Sequence, residues 1–130
     1  MANGWEDWIL SLRGEERLTV SGFAAPGYDS RKRIRGGLDG HLDGVGIRVT
    51  AASALVQSKR WVRLAGTPLE ITLRPRGLSI DLREGDVVRA VRSPAGWRFL
   101  EPTDRVVLVA CLFEWADMEY FLRTPGVRVL

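Results

Sequence analysis

The sequence predicts a mainly β protein: a small antiparallel barrel or roll of six to eight strands, with a short N-terminal helix and a short C-terminal helix. Three observations carry this expectation. From Glu15 onward, apolar and polar residues alternate with period two in one segment after another. Turn-forming residues separate the segments at the roughly 8–12-residue spacing of antiparallel sandwiches and barrels. The chain has 130 residues, 45% of them apolar and 27% charged, which is ordinary for a globular domain with one core. No stretch approaches the ~20 consecutive apolar residues of a spanning helix.

The helix is expected first. Trp5, Trp8, Ile9 and Leu12 fall at i, i+3, i+4 and i+7, one stripe of a helix. Asn3 and Glu6 have capping-box spacing, and Gly14 ends the segment. A three-turn helix is marginal alone, so this stripe must dock on the sheet or on a neighbouring subunit. Leu18 and Val20 open the first strand. Residues 27–46 hold six glycines and the run Arg31, Lys32, Arg33 and Arg35. They read as a Gly/Arg-rich loop or arm.

Alternation then marks Ile47–Ala51, Val62–Leu64, Leu69–Leu73, Leu78–Leu82, Asp86–Arg92 and Trp97–Leu100. Arg74-Pro75-Arg76-Gly77 and Ser93-Pro94-Ala95-Gly96 supply turns. The run Val106–Phe113 is apolar throughout, which predicts a strand covered on both faces. Trp115, Met118 and Leu122 form the stripe of a short terminal helix. One domain spans 1–130, made of the docking helix 1–14, the arm 27–46 and the β core 47–130. A helix over one end of the strands suits a pleckstrin-homology-like roll better than an OB-like barrel, which needs a helix between strands.

Cys111 is the one cysteine. It cannot form an intrachain disulfide, and inside an apolar run it reads as an inert core thiol. Residues 1–12 resemble neither a secretory signal nor a transit peptide, so a cytoplasmic location is expected.

The net charge of +3 is unevenly spread: residues 31–63 carry eight bases against two acids. Arg31, Lys32, Arg33 and Arg35 together with Lys59, Arg60 and Arg63 around Trp61 are the expected contact set. Guanidinium beside indole suits phosphate contact and base stacking. Trp97, Arg98 and Phe99 repeat the combination. The expected function is a non-enzymatic binding module whose arginine-rich loop engages an acidic macromolecule, nucleic acid or an acidic protein face, with no membrane partner. The first alternative is a structural subunit of a virion, tail or shell-like particle, a homo-oligomer joined through Trp5, Trp8, Ile9 and Leu12. The second is a small metal-assisted enzyme using Asp39, His41 and Asp43. His41 is the chain's only histidine, and no serine elbow, phosphate loop or dinucleotide fingerprint is present. No cofactor, metal or catalytic residue is therefore assigned.

Overall fold

The computed structural model describes residues 5–24, 31–116 and 118–122; the side chains of 5–8, 23–24 and 31–33 lie outside that description. Among the described residues, nine strands form one antiparallel sheet in strict sequence order, with neither edge paired to the other. They are β1 (Trp5–Leu12), β2 (Glu15–Ala24), β3 (Leu38–Leu42), β4 (Val45–Ala52), β5 (Trp61–Ala65), β6 (Glu70–Arg76), β7 (Ser79–Glu84), β8 (Val87–Ser93) and β9 (Gly96–Phe99). Helix α1 (Arg31–Gly36) lies between β2 and β3, and α2 (Asp104–Trp115) follows β9. Gln57–Lys59 and Met118–Leu122 are 3-10 turns. The sheet is open rather than a closed barrel. No helix among the described residues is long and apolar enough to cross a membrane.

The period-two alternation translates directly into two faces. Leu38, Leu42, Ile47, Val49, Val62, Leu64, Ile71, Leu73 and Leu82 are buried on the inner face, in one cluster with Val106, Val109, Leu112 and Phe113 of α2. Met118, Phe121 and Leu122 complete that core. Gly40 sits where β3 presses on β2: a Cβ there would stand 2.0 Å from the Thr19 carbonyl oxygen.

Besides the closed barrel of six to eight strands, which is an open sheet of nine among the described residues, three expectations are corrected. No N-terminal helix forms. Trp5, Trp8, Ile9 and Leu12 lie on β1, which pairs with β2 through the turn Arg13-Gly14. Both turn residues have positive φ, 53° and 84°, as a two-residue hairpin requires. Ile9 is exposed, Leu10 is buried and Leu12 half-buried, so the docking stripe does not exist as a helical face.

The arm 27–46 is, where described, α1 followed by the β3–β4 hairpin. Its turn Asp43-Gly44 again has two positive φ values, 52° and 80°. The third correction is the apolar run 106–113, which is helical. Thr103 caps α2 by accepting a hydrogen bond from the Val106 N–H at 3.3 Å, and Asp104 sits in the positive first turn. Val106, Leu108, Val109, Ala110, Leu112 and Phe113 are all buried, on more than one side of the helix, which removes the periodicity that would have marked it.

Candidate interface at one end of the sheet

A meander has two ends, and strand parity assigns every connection to one of them. The connections β2–β3, β4–β5, β6–β7 and β8–β9 lie at one end; β1–β2, β3–β4, β5–β6, β7–β8 and β9–α2 lie at the other. The described residues of the first set carry Arg31, Lys32, Arg33, Arg35, Lys59 and Arg60 and no acid. Those of the second set carry Asp43, Asp86 and Glu101 against Arg13 alone. The molecule is therefore polarised along its strands. The two basic segments singled out in the sequence are nearly thirty residues apart, yet the topology delivers them to the same end.

The C-terminal 3-10 turn joins them physically. The Arg35 guanidinium lies over the Phe121 ring, 5.7 Å from its centre. Arg60 donates to the carbonyl of the next residue, Leu122, at 3.5 Å. Helix α1 is seated by Ile34, which is buried, and Arg48 donates to the Gly36 carbonyl at 3.1 Å.

The contact residues meet different fates. Lys59 is exposed. Arg60 is withdrawn from the surface: it is 5% exposed and donates to the Ala54 and Leu55 carbonyls, each at 2.7 Å. It shapes the interface and does not form part of it. Trp61 and Arg63 alternate onto the outer face, where the Arg63 guanidinium lies 4.6 Å from the Trp61 ring centre. The Arg63 Nε also stands 3.9 Å from Glu70. The side chains of Arg31, Lys32 and Arg33 lie outside the described set.

Trp97 and Phe99 stack on the inner face at 5.9 Å, with Trp97 edge-on to Phe113 at 6.1 Å. Arg98 points the other way, so that apparent triplet is split by the sheet.

Several residues at this end were missed. Arg74 and Arg76 end β6, and Arg74 donates to the Ser58 carbonyl at 3.2 Å. Arg76 pairs with Asp81 at 3.1 Å. Asp81 is 3% exposed beneath Arg76 and Arg83, and its Oδ1 has no hydrogen-bond partner. Leu55, Val56 and Leu78 are exposed at the loop tips. The signal that would have found them is parity: turn 77–78 must sit at the same end as residues 31–37 and 53–60.

The opposite end is a lattice of ion pairs around the start of α2. Arg17 bonds both Asp43 and Asp104, and Arg105 bonds Glu84 at 2.6 Å. The Arg17 hydrogen bond holds the Asp43 carboxyl below its usual range, against a smaller opposing effect of burial. Asp43 in turn raises the Arg17 guanidinium, with Asp104 helping. A cleft of about 440 Å³ opens here, lined by Val45, Pro68, Leu69, Glu70, Glu84, Gly85 and Arg105. Asp39, meanwhile, pairs with Arg48 at 2.8 Å. With both aspartates taken by arginines, Asp39, His41 and Asp43 do not converge. No group of three metal-ligating side chains is found among the described residues.

No family model, no curated protein and no solved structure matches this chain.

Proposed function

We propose that this protein is a non-enzymatic binding module that engages an acidic macromolecule through the basic end of its sheet. The observation that carries the proposal is the segregation of charge. Five bases besides the buried Arg60, and no acid, occupy the described connections at one end of the sheet. An end with an excess of positive charge attracts an oppositely charged partner over about a Debye length and steers its approach. Arginine dominates the set, and its planar fork suits phosphate and carboxylate.

The test is an anisotropy titration with a labelled oligonucleotide and with labelled poly-glutamate at several salt concentrations. Binding to at least one probe is expected, weakening steeply with salt. Reversing Arg31, Arg33 and Arg35 to Glu should lower affinity at least tenfold and flatten the salt slope. Unchanged affinity and slope in that variant refute the proposal.

The same polarity supports a second reading, a structural subunit whose copies stack with the basic end of one against the acidic end of the next. Such a head-to-tail contact builds rings or filaments. Light scattering at low salt checks it: a strict monomer at high concentration rules it out.

A further inference from the structure

We propose that the joined loop tips at the basic end form a docking surface for an anionic lipid bilayer. Leu55, Val56 and Leu78 are 83%, 56% and 89% exposed, among the most exposed large apolar side chains described. They stand on two connections that the structure ties together. The Gln57 side-chain amide donates to the Gly77 carbonyl at 3.0 Å, and its oxygen accepts from the Gly77 N–H at 3.4 Å. Arg74 adds a bond to the Ser58 carbonyl at 3.2 Å, and buried Arg60 clamps the Ala54 and Leu55 carbonyls. Loops pinned this firmly hold their leucines outward by construction. Exposed aliphatic residues on ordered backbone mark an interaction site.

The collar around the tips names the occupant. Segments 53–63 and 73–80 contain Lys59, Arg60, Arg63, Arg74 and Arg76 and no acid; Arg60 is buried, Arg76 pairs with the buried Asp81 at 3.1 Å, and Trp61 is half-exposed on the adjoining face. Aliphatic tips within a ring of cations, with an indole nearby, match the acyl, headgroup and interfacial layers of a bilayer in that order. A nucleic acid would bury three neighbouring aliphatic side chains only by unstacking its bases, a cost that an acyl layer does not impose. A second copy docked through the same face would bring an identical cationic collar into repulsion, and at the acidic end of another copy the charged side chains offer no apolar layer for the tips. A bilayer also accepts projecting side chains without a matching pit. The sequence argued against a membrane partner because nothing in it spans; surface docking needs no span.

This inference rests on the basic end being a contact surface, and its test separates the two claims. The full chain is mixed with phosphatidylcholine vesicles containing 30 mol% phosphatidylserine, or none, and bound protein is separated by flotation. The oligonucleotide titration is run in parallel. The expected result is binding to the anionic vesicles only. The variant Leu55→Ser/Leu78→Ser should bind those vesicles at least tenfold more weakly and the oligonucleotide unchanged.

Both substitutions are at exposed sites, and circular dichroism confirms that the variant folds. Absence of vesicle binding by a chain that binds the oligonucleotide overturns the bilayer and leaves the basic-end reading standing. So does vesicle binding that the serine variant retains in full, or a serine variant that loses both ligands. Failure of every anionic probe removes both claims.

Discussion

Arg60 and Arg63 lie three residues apart, and the structure gives them opposite roles, so the pair makes a sharp test. Replacing Arg60 with Met keeps an unbranched stem in the core and removes the guanidinium. Two bonds at 2.7 Å to the Ala54 and Leu55 carbonyls are lost, along with a third at 3.5 Å that counts for little. Charge-assisted bonds contribute about 1.5–3 kcal/mol each. Both carbonyls lie near solvent, and water takes over part of that energy. The expected loss is therefore about 2–3 kcal/mol in total. In urea unfolding, with a slope of about 1–3 kcal/mol per molar, the midpoint falls by about 1–2 M. Arg60→Lys keeps one donor group in place of a fork and should recover about half. Arg63→Met removes a half-exposed stacking contact and a 3.9 Å ion pair, which together contribute under about 1 kcal/mol. An Arg60→Met protein within 0.5 kcal/mol of wild type, by the accuracy expected of surface changes, refutes the buried-clamp assignment. So does an Arg63→Met variant that loses more than Arg60→Met.

Three further outcomes follow from other parts of the molecule. Asp43→Asn keeps a residue that tolerates positive φ and removes the charge facing Arg17. Because the Asp43 carboxyl is held below its ordinary 3.8, its stabilisation is complete above that pH and fades as pH falls below it. The variant should be about 0.5–1 kcal/mol less stable at pH 7, and the gap should close in unfolding curves below about pH 4. Gly40→Ala drives a Cβ against the Thr19 carbonyl, whereas Gly46→Ala meets nothing within 4 Å. Thermal melts should show a loss of roughly 2 kcal/mol or more for the first and under about 0.5 for the second. Thr103→Ala removes the α2 cap and should lower stability by about 1 kcal/mol, read from the urea midpoint.

The alternation that marks β4 to β9 is plain in the sequence because one face of these strands meets the core, although on β6 and β7 the outward Thr72 and Asp81 are buried too. Both ends of the chain misled for physical reasons. Strand β1 carries register shifts between Glu6 and Trp8 and between Leu10 and Ser11. Each interrupts the two-residue rhythm, and the surviving apolar spacing imitates a helix. Helix α2 erred the other way: it is buried on so many sides that its sequence shows no polar stripe. The cap Thr103 and the acid Asp104 were its legible signals. Residues 38–49 were legible too, since Asp43-Gly44 flanked by Leu38, Leu42, Val45, Ile47 and Val49 is a strong hairpin signal. The glycines around it hid it by suggesting a mobile arm.

The candidate interface was half legible. Charge counting located segments 31–35 and 59–63, but it could not separate buried Arg60 from exposed Lys59, which are adjacent. Nor could it bring in Arg74, Arg76 and Leu78. Their membership depends on how many strands precede them, and in the sequence β1 has the spacing of a helix and β3 the glycines of a loop.

The polarity of the sheet is tested most directly by reversing one exposed charge at each end and reading affinity for the same labelled polyanion. Arg35→Glu should weaken binding at least fivefold and reduce its salt dependence, while Arg13→Glu, an equal change of charge at the acidic end, should change affinity less than twofold. Equal losses from the two variants would show that bulk charge governs binding, and that the basic end has no special part in it.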